Sequence, residues 1–460
     1  MPPAKLARLE KAADVRGIQR AFRPYPLNAE DMEFYSDSLN KCRATQLQRK
    51  IKDELIESAE TGSNFKGVLY GNRGTGKSTE INRLLEAPEI QKRFKVIRMD
   101  ALDQLNPQTW SVADVLLLLA GSLIECVDGG ADGVLLGDLQ KQMSPFFPEF
   151  QSKVQTSNTA GASGELSILG SLKLGIRIEG SKREDVAGRR DSLANLSGYL
   201  GKLIDDVRQK LGGTELLLVG ENFDKEQIPR ELLEDAFVKY ASLLRDLPLH
   251  ALFTLPVPFV YYYGDQLPFP RSSRYPMYDI PVFTPEHRKD VAGCEALTEL
   301  MRKRVDTEAA FEPDALELLV LASGGDLYLL FAMTTKAARE AQYRHEDDES
   351  QPLKVLLNDV VTVVREQLGI FRNELGTGPD DSDKTTWPEK LDKLRKLYDG
   401  DPGPSVPDAA LYQLLRRRAV LFFNGRGRYG VHPLGVEILR EQFRKDDSFQ
   451  YSGGGLELGA

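Results

Sequence analysis

Apolar positions change their period several times along the chain. In DSLNKCRATQLQRKIKDELIESA at 37–59 they recur every three to four residues, which predicts a helix. Thr61-Gly62-Ser63-Asn64 ends it. A short apolar run follows at Gly67–Tyr70, then a glycine-rich loop, then the helical stretch STEINRLLEA, giving the order strand, loop, helix. KVIRMDA at 95–101 is a second strand, and a helix covers roughly 109–127. ELLLVG at 215–220, HALFTLP at 250–256 and YDIPVF at 278–283 are further strands, separated by helices near 191–211 and 230–246. Each strand is a nearly continuous apolar run, and strands alternate with helices. Together these predict an α/β core, a parallel sheet with helices on both faces.

The remaining segments divide the chain. Residues 1–64 form an N-terminal helical segment, and 65–284 the core. Within the core, 128–190 is an insertion rich in Gly and Ser. Its ELSILGSLKLGIRIEG alternates and predicts a β-hairpin around Gly170-Ser171. That hairpin reads either as a surface insertion or as a contact element for a neighbouring subunit. From 285 to 375 the pattern is helical, with an exposed break at EDDESQP. GTGPDDSDK at 376–384 is a linker. Residues 385–445 read as helices, the strand AVLFF, a GRGR turn, YGVHP and a last helix; 446–460 is expected to be a disordered tail.

Composition narrows the function classes. The chain has 460 residues, 41% apolar and 28% charged, an ordinary globular balance for two or three packed units. Lys plus Arg is 60 against 69 for Asp plus Glu, a net charge of −9. That excludes a bulk electrostatic nucleic-acid binder and leaves room only for a local basic patch. Cys42, Cys126 and Cys294 are far apart, as are His250, His287, His345 and His432, so neither a disulfide framework nor a His/Cys metal site is expected. VLLLLAGSLI at 115–124 is too short to span a bilayer, and MPPAKLARLEKAADVR lacks the apolar core of a signal peptide. A cytoplasmic protein without membrane contact is the expectation.

The chemistry concentrates in GNRGTGKST at 71–79, which fits G-x-x-x-x-G-K-[ST]. Gly71, Gly76, Lys77 and Ser78 hold the defining places. Asn72, Arg73, Gly74 and Thr75 fill the interval, and Thr79 follows. Glycines let successive backbone N–H groups turn toward an anion, and the following helix adds its positive N-terminal end. A lysine here reaches β and γ phosphates, and the serine hydroxyl ligates Mg²⁺. A glycine-rich turn matching by chance is the plain alternative, but this motif lies between an apolar strand and an amphipathic helix, where nucleotide binding requires it. No guanine-reading NKxD motif accompanies it, so ATP with Mg²⁺ is the expected ligand.

LLLVGENFDK at 216–225 is the candidate for the acidic strand such a site needs. The loop, this strand and the helical continuation resemble the AAA+/STAND superclass of P-loop ATPases over roughly residues 45–443, with the loop as the sharpest motif. The resemblance implies a pattern hhhhD[DE]hD[RK] at this strand. Aligned on Phe223-Asp224-Lys225, it puts Glu221 at the Mg²⁺-shell acid and Asn222 where a catalytic acid belongs. Alternatively Glu221 is the water-polarising base and Gly220 takes the metal-shell place. Either way one acid is absent, which implies ATP binding with slow or conditional hydrolysis. Thr254, ending the next strand, reads either as a γ-phosphate sensor or as a buried, backbone-satisfied threonine. The resemblance also implies an arginine in the helical lid, sGGxxR; here SGGDLYLL at 323–330 has Tyr328 in that place. Arg245, Arg271 and Arg274 are candidates for an arginine acting on a neighbouring subunit, and each reads equally as a solvated surface residue.

ALYQLLRRRAVLFFNGRGRYGVHPLGVEILREQF at 410–443 resembles the winged-helix module attached to many such ATPases, the origin-recognition initiators among them. Arg416, Arg417, Arg418, Arg426 and Arg428 form the best basic cluster. They read as DNA-phosphate contacts or, the first three, as cations capping a helix C-terminus beside a structural joint. The family implies a nucleotide-controlled switch and assembly platform, homo-oligomeric, with an effector protein as partner in anti-phage defence. A DNA-loading or transposition ATPase and a non-hydrolysing ATP-bound scaffold are the alternatives.

Overall fold

The apolar runs assemble into one sheet. The computed structural model describes residues 8–127, 133–143, 173, 176, 186–376, 385–404, 406–425, 429–444, 449, 451–456 and 458. In it β1 (Lys66–Tyr70), β2 (Phe94–Asp100), β3 (Glu215–Glu221), β4 (His250–Leu255) and β5 (Arg274–Pro276) lie in the order β2-β3-β4-β1-β5. The pairs β2–β3, β3–β4 and β1–β4 run parallel. Every residue of β1 and β4 is buried, as continuous apolar strands require when both faces are covered.

Helices follow the strands: α1 (Leu47–Glu60), α2 (Lys77–Leu85), α3 (Val112–Glu125) and α4 (Val186–Lys210). Of α3's fourteen residues only Ser122 and Glu125 escape burial, so it packs on all sides, against α4 among others. Ser111 N–H donates to Asp114 Oδ2 at 2.7 Å and fixes its start. Behind β3 and β4, Trp110, Phe223, Phe237 and Phe253 meet edge to face, with centroids 5.2 to 5.7 Å apart.

The chain divides into two compact units. One comprises Met1–Gln48, Gly71–Leu84 and Pro276–Ala460; the other comprises Arg49–Tyr70 and Leu85–Tyr275. The sheet therefore belongs almost wholly to the second, whereas the glycine-rich loop groups with the helical and C-terminal parts. The first unit contains α5 (Val291–Arg304), α6 (Pro313–Ala322), α7 (Leu327–Asp347) and α8 (Leu357–Leu375). These are followed by α9 (Trp387–Tyr398), α10 (Ala409–Arg416), the antiparallel pair β6 (Val420–Phe422) and β7 (Tyr429–Val431), and α11 (Pro433–Gln442).

Several expectations change. The segment 278–283 is not a strand of the sheet; β5 ends at Pro276, and Phe283 joins only an isolated bridge with Lys289. The reason is local. Pro276 and Pro281 lack the N–H a ladder needs, and Asp279 N–H donates instead to Phe422 O, at 2.8 Å, alongside β6. The helix expected at 230–246 is three short segments, the middle one, Asp235–Lys239, being a π turn. The expected insertion 128–190 includes a helix, Gly133–Met143; the hairpin at 165–180 lies outside the described residues except Lys173 and Ile176, both helical. The linker beyond Gly376 is also outside them. The described part of the tail is ordered rather than disordered. Leu456 is buried, its N–H donates to Glu437 Oε1 at 2.6 Å, and Tyr398 Oη donates to Gly453 O at 2.8 Å.

Gly324 marks a junction between α6–α7 and the C-terminal module. Its φ is +60°, and a Cβ there would come within 2.5 Å of His432 Nε2. His432 caps α11. Leu434 N–H donates to Nδ1 at 3.1 Å, so Nε2 carries the proton and donates to Ser323 O, also at 3.1 Å. Burial above all, then the nearby Arg418, push its pKa from 6.5 down to about 3. The fold thus favours neutral imidazole. Its contribution to stability is complete above pH 6.5 and drains away as pH falls from there toward 3. Between pH 7 and pH 5 the native denaturation midpoint should fall more steeply than that of His432→Asn, which keeps a cap acceptor but does not titrate. Chemical denaturation at both pH values reads this directly, and parallel profiles would refute a buried neutral imidazole.

Candidate functional site

The loop 71–79 leaves β1 and enters α2. Gly74 has φ +83°, and a Cβ on it would lie 2.0 Å from Asp326 Oδ1 and 3.1 Å from Arg418 Nη1, so no other residue fits. Lys77 is 6% exposed; its Nζ donates to Gly71 O at 2.9 Å and Asn72 O at 2.7 Å, curling back over the loop it anchors. Thr75 Oγ1 donates to Asn72 O at 2.9 Å. Arg73 lies over the Tyr328 ring at 4.8 Å. Thr79 Oγ1 accepts Leu27 N–H at 3.2 Å, and Glu80 accepts from Tyr35 Oη at 2.6 Å, tying α2 to the N-terminal segment. Ser78, in the first turn of α2, is half-buried. The glycine at the crown, the helix start and the buried lysine are features that a polyphosphate site uses, and the side chains of Asp326 and Arg418 lie against that crown.

Two side chains that sequence reasoning missed brace this loop. Arg43 is 2% exposed and donates from Nη2 to Thr75 O at 2.6 Å and from Nε to Tyr278 O at 2.8 Å. Asp279, also 2% exposed, accepts at Oδ2 from Asn72 Nδ2 at 2.6 Å and from Phe422 N–H at 2.7 Å. Burial above all raises its pKa to about 6, against the pull of those donors. Arg43 and Asp279 border a cavity of about 380 Å³ whose wall includes Tyr278, Tyr398, Phe423 and Tyr429. Neither residue belongs to a recognisable spacing; the one signal for Asp279 was its place in the misassigned strand.

In the other unit the structure brings together the residues expected at the acidic strand. Glu221 ends β3, 8% exposed, with Arg98 Nη1 3.4 Å from its Oε2. Asn222 has φ +63°, a conformation asparagine tolerates, and its Nδ2 donates to Asp100 Oδ2 at 2.6 Å. Asp100 was not foreseen, although parallel register sets it beside Glu221. Its other oxygen accepts Leu102 N–H at 2.9 Å and Asp103 N–H at 3.1 Å. Thr254 Oγ1 is 3.5 Å from Asp224 Oδ1. Among the described residues no group of three or more His, Cys, Asp or Glu is arranged to hold a metal ion.

The arginines part company. Arg245 pairs with Asp246 and Arg271 with Asp265, both on exposed surface. Arg274, proposed for a neighbouring subunit, is held at home: its side chain is 14% exposed and donates to Phe269 O at 2.9 Å and Asp265 at 3.2 Å. Arg418, grouped with the DNA-contact candidates, turns inward instead. Its φ of +59° reverses the chain after α10, and its guanidinium meets Asp326 and, at 3.3 Å, Arg73 O. Arg416 and Arg417 are half-buried at the end of α10, and Arg426 and Arg428 lie outside the described residues.

Neither a protein-family profile nor a curated protein matches the sequence. Solved structures with a similar arrangement include Cdc6p from Pyrobaculum aerophilum, at TM-score 0.40 and 13% identity, covering 94% of this chain and 100% of that one. Drosophila ORC bound to DNA gives TM-score 0.40 and 10% identity, covering 97% and 86%. The Aeropyrum pernix ORC1 protein in complex with DNA gives 0.37 and 13%, covering 89% and 96%. No helix among the described residues is long and apolar enough to cross a membrane.

The Asn222–Asp100 contact yields a test. Asn222→Asp would set two carboxylates at hydrogen-bond distance, so one must hold a proton and its pKa rises. A raised carboxyl pKa stabilises the fold at low pH and loses that contribution as pH climbs through it. The variant should lose about 1–3 kcal/mol relative to native at pH 7.5 and markedly less at pH 4.5. Equal losses at both pH values in urea titrations would show that the two side chains do not meet.

Proposed function

We propose that the chain is an ATP-binding P-loop switch of the AAA+/STAND kind, with 410–443 acting as its winged-helix reporter. The observation that carries this reading is Asp279. One buried oxygen accepts the side chain of loop residue Asn72 and the backbone of β6 residue Phe422. A polyphosphate arriving at 71–79 and reshaping the loop therefore disturbs a bond that also holds the C-terminal module. Backbone N–H groups, Lys77 and the Ser78 hydroxyl hold the phosphates and Mg²⁺, and the aromatic cavity beside Arg43 offers space for the base. Hydrolysis is slow or conditional, because position 222 carries an amide tied to Asp100 rather than an acid. The output is assembly into a homo-oligomer and engagement of an effector protein in the cytoplasm, in a defence role. DNA contact is disfavoured by the net charge of −9 and by the inward turn of Arg418.

ATP affinity and turnover of the full chain, with and without duplex DNA and beside Lys77→Ala, test this. The expected result is ATP binding weakened at least about 100-fold by the substitution, as loss of a charge-assisted phosphate contact implies, with slow turnover indifferent to DNA. DNA-stimulated turnover abolished by Lys77→Ala would replace the switch with a DNA-handling ATPase. Absence of ATP binding would overturn both.

A further inference from the structure

The lid carries Tyr328 where a phosphate-reading arginine is expected, yet an arginine has reached the same loop from elsewhere. We propose that Arg418, delivered by the turn between α10 and β6, reads the terminal phosphates of the bound nucleotide, and that it does so by leaving Asp326. This rests on the nucleotide reading of the loop given above.

Three observations carry it. First, Arg418 Nη1 is 3.3 Å from Arg73 O and would lie 3.1 Å from a Cβ on Gly74, so the guanidinium touches the crown of the loop. Second, the backbone is bent to put it there. A φ of +59° at a non-glycine residue is uncommon and sterically unfavourable, and the side chain is only 16% exposed. A solvated arginine has no need of such a turn. Third, its counter-ion is chosen with the loop. Asp326, 3% exposed, caps α7 by accepting Tyr328 N–H at 2.9 Å and Leu329 N–H at 3.2 Å through Oδ1, and turns Oδ2 to Arg418.

An acid against a phosphate loop opposes anion binding unless a cation screens it. Phosphate oxygens on the loop therefore compete with Asp326 for one guanidinium, and a longer, more negative polyphosphate competes better. Asp326 is not abandoned in the exchange. Burial holds its pKa above the ordinary range, while Arg418 first and Arg73 also favour its ionised form, so a second cation stands near it. Arg418 lies two residues before β6, the strand whose Phe422 binds Asp279. Movement of its side chain is thus transmitted to the C-terminal module through its own backbone.

Calorimetric affinities of the full chain for ATP, ADP and AMP, each with Mg²⁺, decide the matter. Arg418→Gln should weaken ATP about 10- to 100-fold, the range of one lost charge-assisted contact, ADP less, and AMP hardly at all. Arg418→Lys should restore part of the ATP preference. Asp326→Asn, which keeps the cap acceptor but releases the guanidinium, should tighten ATP several-fold. An ATP-to-ADP affinity ratio in Arg418→Gln equal to native, or equal losses for all three nucleotides, would overturn the inference. If Arg418→Gln does not fold, unchanged nucleotide preference in both Arg418→Lys and Asp326→Asn overturns it equally. Lys77→Ala separates the two claims: if it leaves ATP affinity intact, the nucleotide reading itself fails, whereas weakening there with a native ratio in the Arg418 variants refutes only the role of Arg418.

Discussion

One buried carboxylate, Asp279, ties two distant stretches of the first unit together. An ionised acid removed from water must be repaid by donors, and it finds them in two places far apart in sequence, the Asn72 amide and the Phe422 backbone. Neither donor can be withdrawn without leaving charge exposed to a low-dielectric interior. That is why the loop cannot change shape independently of β6, and why a segment read as strand became a brace. Arg43 complements it from the other side by binding the carbonyls of Thr75 and Tyr278.

The same logic runs through the crown of the loop. Asp326, Arg418 and Lys77 are charges kept largely from water and satisfied by one another or by carbonyls, and the Arg73 guanidinium lies over the Tyr328 ring. Such an arrangement is poised rather than inert. Each bond is charge-assisted, and each has an obvious competitor in a phosphate oxygen.

Legibility in the sequence followed the range of the signal. Strands β1 to β4 and most helices were visible as periodicity, because burial on both faces leaves continuous apolar runs. The loop 71–79 was visible because backbone geometry dictates its glycines. What failed were features set by contacts across the chain. The run 278–283 has a strand's composition, yet Pro276, Pro281 and the demands of Asp279 exclude it from the sheet. Arg418 looks like any member of an arginine cluster until the left-handed turn aims it inward. Asp100 shows its partnership with Asn222 only when β2 and β3 are set in register. The tail has a disordered composition, but Leu456 finds a buried place and Glu437 an amide.

The position of β1 has a consequence for how the chain comes to life. It lies inside the sheet, and its partner β4 is some 185 residues later. Loop closure of that length is slow and must be completed before the pairing rewards it. A ribosome must therefore add some 185 residues before the strand that precedes the loop 71–79 can acquire this neighbour. Until then the apolar β1 lacks its strand neighbour, and transiently exposed apolar surface of that kind favours aggregation. The pairing of β1 thus arrives some 185 residues after β1 itself is translated, and the loop that follows β1 waits for it as long.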